Sequence, residues 1–379
     1  MKTEITIEQA KERSPKSLWK KIEHSVELLR KSEKLALTYD KQDGFFLAFS
    51  AGKDSQALYH IAELAGVKFR GHINWTSVDP PQVIRFKRKY YPEVEEKAPE
   101  KSIFQLAVER GILPTMRIRW CCKDLKETAG AGKVTLIGIR AQESARRARR
   151  KEVEVSGKKF SGSLEQFYEW REEEIKNKEE KLLRKMKREG KKVNEDEFSL
   201  TKDNEVRCIN GKDSILISPI FDWTEKDVWT FLNDVVRVPH CELYDMGYKR
   251  IGCILCPMSQ HKQKVREMRD FPHVKRGWIT AIKAIRGGQA TESQAVTRIS
   301  NGCTTTSRWN RKANTGIWAG FDTPIKTIGL GFQTAHIQAA RYMGIMSRQK
   351  TKSQRRFLIG GCLARAIPNG TPTLIYNRK

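Results

Sequence analysis

Short, continuous apolar runs alternate along much of the chain with stretches whose apolar residues recur at helical spacing. Gly44-Phe45-Phe46-Leu47-Ala48-Phe49 reads as a strand buried on both faces. After a polar turn, Ala57, Leu58, Ile61, Leu64 and Ala65 fall at helical spacing, and Gly66 supplies a stop. A second strand is expected within Lys68–Val78. Pro80-Pro81 then suits the first turn of a helix carrying Val83, Ile84 and Phe86. Val134–Ile139 and Ile215–Ile217 are further apolar strands, and Thr224 with Asp227 forms a capping box for a helix with Val228, Trp229, Phe231 and Leu232. Strands alternating with helices predict an α/β fold with a doubly wound, mostly parallel sheet. Ligands of such a sheet bind beyond the carboxyl ends of its strands.

Other stretches break this pattern. Glu165–Lys192 carries many charges of both signs at helical spacing and predicts a solvated helix or helical hairpin projecting from the body. The expected organisation is therefore an N-terminal helical segment over 1–40, an α/β domain over 41–140 and 206–290, a charged helical insertion over 141–205, and a basic C-terminal region over 291–379. From Asn301 to Lys379 there are 13 Lys or Arg against one acid, Asp322. The whole chain of 379 residues has 72 Lys and Arg against 45 acids, a formal charge of +27. That imbalance predicts a polyanionic partner, nucleic acid or nucleotide phosphate, rather than a membrane. No apolar run approaches the roughly 18 residues of a spanning helix. The opening residues lack the apolar core of a signal peptide, so eight sparse cysteines are expected as reduced thiols or metal ligands in a cytoplasmic protein.

Candidate chemistry gathers at the end of the first strand, in Ser50-Ala51-Gly52-Lys53-Asp54-Ser55. A small-residue loop lets backbone approach a phosphate, and the following helix offers unpaired N–H groups and its positive dipole end. Lys53 adds charge, and Ser50 and Ser55 can donate hydrogen bonds. Asp54 suits helix capping or Mg²⁺ better than direct phosphate contact. An ordinary strand-to-helix turn uses the same residue types.

The segment AFSAGKDS resembles the pyrophosphate (PP) loop of the adenine nucleotide α-hydrolase superfamily, a HUP or Rossmann-like fold. Ala51 stands for the first glycine of that loop, tolerable if the position needs no positive φ. Further motifs resemble the phosphoadenosine phosphosulfate (PAPS) reductase family: Val78-Asp79-Pro80-Pro81, Cys121-Cys122-Lys123-Asp124-Leu125-Lys126, Gly138-Ile139-Arg140 with Glu143-Ser144 and Arg146, Pro219–Thr224 with Asp227-Val228-Trp229, and Leu243–Pro257. The resemblance implies an enzyme acting at the α-phosphate of an adenine nucleotide. It places Asp79 by the adenosine and has Gly138 and Arg140 line the nucleotide. Lys123, Lys126 and Arg146 become cations for phosphate oxygens, with Lys53, Asp54 and Lys126 carrying catalysis.

Cys253-x-x-Cys256 and the adjacent Cys121-Cys122 lie 131 positions apart and can meet only through the fold. Four thiolates suit zinc or an iron–sulfur cluster. The resemblance to iron–sulfur members of the family implies a [4Fe–4S] site, ahead of zinc and of a redox disulfide. Sulfonucleotide reductases of the family use a cysteine flanked by Glu and His near the C-terminus; Cys303 and Cys362 lack that setting. The chain is closer in features to the iron–sulfur ATP pyrophosphatases of DNA phosphorothioation, which implies ATP, Mg²⁺, a nucleic-acid substrate and a sulfur-donor protein such as a cysteine desulfurase. The alternatives are a PAPS or APS reductase, and a nucleic-acid-binding protein with a vestigial nucleotide site. For the last, Arg308, Trp309, Arg311, Lys312, Trp318 and Phe321 interleave cations with aromatics, and Arg348, Lys350, Lys352, Arg355 and Arg356 form a basic run.

Overall fold

A computed structural model describes residues 5–127, 129–189, 213–301, 357–359 and 362–364. The chain divides into two compact units, Met1–Ser307 and Arg308–Lys379.

The first unit opens with helices α1 (Ile7–Arg13) and α2 (Lys16–Tyr39). The alternation then runs β1 (Phe45–Ala48), α3 (Lys53–Ala65), β2 (Phe69–Asn74), α4 (Pro81–Tyr90), β3 (Glu95–Lys97) and α5 (Ile103–Arg110). A short helix α6 (Trp120–Cys122) runs into a π-helical turn, Lys123–Glu127, before β4 (Val134–Leu136). The helix α7 (Ala145–Ala148), strands β5 (Val153–Val155) and β6 (Phe160–Gly162), and the long helix α8 (Leu164–Arg188) follow. The unit ends with β7 (Ile215–Ile217), α9 (Glu225–Thr230), α10 (His261–Asp270), α11 (Pro272–Ile285) and α12 (Glu292–Ser300).

Seven strands form one sheet in the order β3-β2-β1-β4-β7-β5-β6. The first five are mutually parallel, and β5 and β6 add antiparallel at the edge. This is the expected doubly wound α/β sheet. Its central strands are fully apolar because both faces are covered: Phe45, Leu47, Val134, Leu136, Ile215 and Ile217 have no exposed surface. The chain steps from β1 outward to β2 and β3, then returns to β4 on the other side of β1. That reversal between β1 and β4 is where a doubly wound sheet opens a ligand crevice.

Local signals behave as their chemistry requires. Gly66 ends α3 in the left-handed conformation, and Pro81 occupies the first turn of α4. Thr224 and Asp227 form the capping box of α9. Two expectations change. The 141–205 stretch is not purely a projecting helix, because β5 pairs with β7 and extends the main sheet. The helix within it is single over its described length, and Leu164, Phe167 and Ile175 are buried, so an apolar stripe anchors its first half. In addition, α12 packs on α10 and α11 inside the first unit rather than opening a separate basic region. In the second unit, Phe357–Ile359 pairs antiparallel with Cys362–Ala364. The remaining basic and aromatic residues noted after Arg308 lie outside the described residues.

Candidate nucleotide and cysteine site

The Ser50–Ser55 loop leaves the carboxyl end of β1 and becomes α3, and its own side chains close it. The Ser55 hydroxyl accepts from the Ser50 N–H and O–H, both at 3.1 Å, and donates to the Gly52 carbonyl at 2.9 Å. The two serine hydroxyls therefore shape the loop first. Ala51 is fully buried at φ +55°, so this position does adopt the left-handed backbone, contrary to the condition under which alanine replaces glycine without cost. The surroundings hold the strain.

Asp54 does not cap α3. Gly52 is the N-cap, and Asp54 lies in the first turn. One Asp54 oxygen accepts from Arg140 Nε at 2.6 Å, and the other lies 3.3 Å from Lys53 Nζ. Lys53 is only 5% exposed and also stands 3.7 Å from Glu225. Arg140 is buried, and its Nη1 reaches the Trp223 carbonyl at 3.4 Å. Both carboxylate oxygens thus face cations, which argues against Asp54 as a ready Mg²⁺ ligand and makes it the organiser of two positive groups. Gly138, just past β4, lies so close beneath the loop that an added Cβ would stand 3.0 Å from the Asp54 carbonyl oxygen. The loop and the Gly138–Arg140 segment therefore meet at the β1/β4 crevice.

Tyr244 was visible in the sequence only as part of a longer motif. Its hydroxyl accepts the Lys53 N–H at 2.8 Å, and its ring packs edge-on against Trp229. Burial pushes its phenol above the usual value, which keeps it neutral and able to serve that N–H. It stands at the helix end where an anion would be held.

The second group of residues lies beyond β2. Asp79 accepts from the Thr76 hydroxyl at 3.0 Å, and that hydroxyl lies 3.4 Å from Cys253 Sγ. The Ile254 N–H donates to the Val78 carbonyl at 2.8 Å. The Asp79 loop and the Cys253–Cys256 turn are therefore in direct contact. Burial pulls the Lys126 ammonium down, but Cys253 and Asp79 beside it outweigh that and hold it above the usual lysine value. Lys123 is exposed on the π turn, and Arg146 is exposed on α7, beside Arg147 and Arg150, which pair with Glu143 and Glu154.

The four cysteines converge although two lie at each end of a long sequence gap. The hydrogen bond to Cys122, then burial and the Cys253 and Cys256 thiols, push the Cys121 thiol up. The Cys121 hydrogen bond, assisted by Arg119 Nη2 at 3.0 Å, holds the Cys122 thiol below its usual value despite burial. Burial and then Cys253 and Cys122 push Cys256 up. None of the four is in a disulfide. Among the described residues no three His, Cys, Asp or Glu side chains stand at metal-binding spacing. The chemistry of the donors still fits a soft metal or an iron–sulfur cluster: four partly buried thiols that come within electrostatic reach of one another, with Arg119 and Lys126 to offset thiolate charge. Sequence reasoning missed Arg119, which carries no signal beyond lying two residues before the pair.

The phosphoadenosine phosphosulfate reductase domain matches residues 44–259, more than half of the chain, and the protein belongs to that family. An uncharacterized protein of Methanocaldococcus jannaschii is 38% identical over 74 residues, 19% of this chain and 17% of that protein. Adenosine 5'-phosphosulfate reductase of Staphylococcus epidermidis is 44% identical over 43 residues, 11% of this chain and 17% of that enzyme. The chain thus matches under a fifth of the length of each. Among solved structures, PAPS reductase from Candida auris in a phosphate complex is 16% identical, covering 61% of this chain and 93% of that one, with a TM-score of 0.33. FMN adenylyltransferase of Candida glabrata with FAD and inorganic pyrophosphate is 12% identical, covering 65% of this chain and 69% of that one, with a TM-score of 0.38. Among the described residues, no helix is long and apolar enough to cross a membrane.

Proposed function

We propose that the chain is a PP-loop ATP pyrophosphatase that adenylates its substrate for sulfur transfer, with nucleic acid as that substrate. The observation that supports this reading is two groups at the carboxyl ends of neighbouring parallel strands: the Ser50–Ser55 loop with Lys53 after β1, and the Asp79 loop after β2, which touches the Cys253–Cys256 turn. A substrate oxygen attacks the α-phosphorus of ATP, the bond to the bridging oxygen breaks, and pyrophosphate leaves. Lys53 and the α3 N-terminus offset the charge that grows on the leaving group. Asp54 holds Lys53 and Arg140 in place. Mg²⁺ accompanies the nucleotide phosphates and is held mainly by them.

Cys121, Cys122, Cys253 and Cys256 would hold a [4Fe–4S] cluster, which supplies one-electron chemistry for sulfur transfer. Lys126, which interacts with both Cys253 and Asp79, would serve the cysteines and the nucleotide together. Lys123 and Arg146 offer their charge to the nucleotide phosphates and the basic C-terminal region attracts the nucleic acid. A persulfide of a donor protein such as a cysteine desulfurase displaces AMP from the adenylated substrate, and a two-electron reductant then cleaves the resulting disulfide to release the thiolated product. The likeness to adenosine 5'-phosphosulfate reductase favours a second reading, reduction of PAPS or APS to sulfite.

Anaerobically purified protein incubated with ATP or with PAPS, each with and without DNA, tests the choice. AMP and pyrophosphate from ATP, stimulated by DNA and weakened by salt, are expected. Sulfite from PAPS, with no turnover of ATP, moves the assignment to the reductase.

A further inference from the structure

The helix α10, His261–Asp270, is rich in charge, yet Lys264 and Glu267 are only 3% and 4% exposed. Three residues apart, they share one helical face. A buried charge is costly unless its partners repay the loss of water, so what these two groups bind is informative. Glu267 Oε2 accepts the Leu255 N–H at 2.6 Å, and Oε1 accepts from Gln263 Nε2 at 2.7 Å. Lys264 Nζ donates to the Pro257 carbonyl at 3.3 Å. Glu267 thus holds the backbone inside the Cys253–Cys256 turn, and Lys264 holds the residue just after it, one on each side of Cys256. Between the cysteines, Leu255 adopts φ +57°, a conformation a leucine keeps only where its surroundings impose it. Glu267 lies against the strained residue itself.

We propose that Glu267 is the positioning residue of the Cys253–Cys256 turn: with Lys264, it holds the turn in the form that binds a soft metal ion or iron–sulfur cluster together with Cys121 and Cys122. The role rests on the metal reading given above. Glu267 touches neither sulfur; it acts through the Leu255 backbone. Its carboxylate is what the turn requires, since one oxygen must accept Leu255 while the other accepts Gln263. A glutamine at 267 retains the first bond and turns an amide toward Gln263 in place of the second acceptor.

Two measurements on the full chain test this. Titration of metal-free protein with Co²⁺ reads the cobalt–thiolate absorption band, and alkylation followed by mass spectrometry reads each cysteine separately. Glu267→Ala should weaken Co²⁺ binding by about tenfold or more, the range seen when outer-shell partners of metal ligands are lost. Glu267→Gln should fall between Ala and the native protein. In the metal-free protein, Cys256 should be alkylated about tenfold faster in Glu267→Ala through local opening of the turn. The fully buried Cys241 should be unchanged, which excludes global unfolding. Val274→Ala, which removes core volume in α11, should leave both readouts alone. Equal cobalt affinity and equal Cys256 alkylation in native and Glu267→Ala protein overturn the proposal, as does an equal loss in Val274→Ala. If native protein shows no cobalt–thiolate band but Glu267→Ala still exposes Cys256, the positioning role stands and the metal reading fails.

Discussion

The Ser50–Ser55 loop and the Cys253–Cys256 turn sit at the same end of one sheet, and they are held in different ways. The loop closes partly on itself, Ser50, Gly52 and Ser55 binding one another, before Arg140 and Tyr244 reach it from distant segments. The cysteine turn is gripped from outside, by Val78 at one point and by α10 at two others. Electrostatics accounts for the contrast. Under the proposed anion-binding role, the loop can assemble beforehand, because its donors also satisfy local acceptors and its cations pair with Asp54. Thiols that ionise close together repel one another, so under the proposed metal reading a scaffold must bring them near and the ion must complete the approach. Both regions strain a residue into the left-handed backbone, Ala51 in one and Leu255 in the other.

The largest effect should come from the externally held side. Under the proposed cluster, Cys253→Ser would remove one of four soft ligands, and an iron content of about four per chain, the Cys₄ cubane value, should fall to near zero. Elemental analysis of anaerobically prepared protein checks it. Nucleotide binding to the separately built loop should survive at least in part; complete loss of both would mean the two regions are one cooperative unit.

Asp54→Ala attacks the self-held side. It strips the carboxylate from buried Arg140, a change that costs about 3–5 kcal/mol in a fully buried pair. Asp54 keeps a quarter of its side chain exposed, so about 2–3 kcal/mol is expected here, after discounting for solvent. Denaturant unfolding measures this, and ATP turnover should fall further than stability alone explains. Lys53→Ala should weaken nucleotide binding or turnover by about 1.5–3 kcal/mol through loss of one charge-assisted contact. Calorimetric titration with ATP checks it, and unchanged affinity would move the phosphate site elsewhere.

The smallest effect is expected at Ala51. Glycine there relieves about 1–2 kcal/mol of left-handed strain but loses a buried methyl and adds chain entropy, each worth about 0.5–1 kcal/mol. Ala51→Gly should therefore change stability by less than about 1 kcal/mol in thermal unfolding. A large loss would mean the methyl itself is part of the loop.

Much of this comparison was legible in the sequence, but unevenly. The phosphate loop announces itself because its residues are contiguous and follow an apolar run. The cysteine pairs announce their chemistry by ligand type and spacing. What remained hidden depends on contacts between distant segments. Arg140 reaches Asp54 across 86 positions, and Tyr244 reaches the loop across 191. Glu267 looks like any surface charge of a polar helix until its burial is known. The strand Glu95–Lys97 is exposed at every position, so it has no apolar pattern to read. The hairpin of β5 and β6 is likewise hidden, because each strand is only three residues long within a highly charged stretch, and the left-handed backbone at Ala51 leaves no mark on the residue type.

The most direct test of the central claim follows the phosphate label. Native protein in the presence of DNA is given ATP carrying an isotope at the α-phosphorus, and products are separated in parallel with Asp54→Ala. The account predicts label in AMP or an AMP-linked intermediate, an equal amount of pyrophosphate, and a marked drop in both for the variant. Label in ADP with release of inorganic phosphate, or equal turnover in the variant, would contradict it.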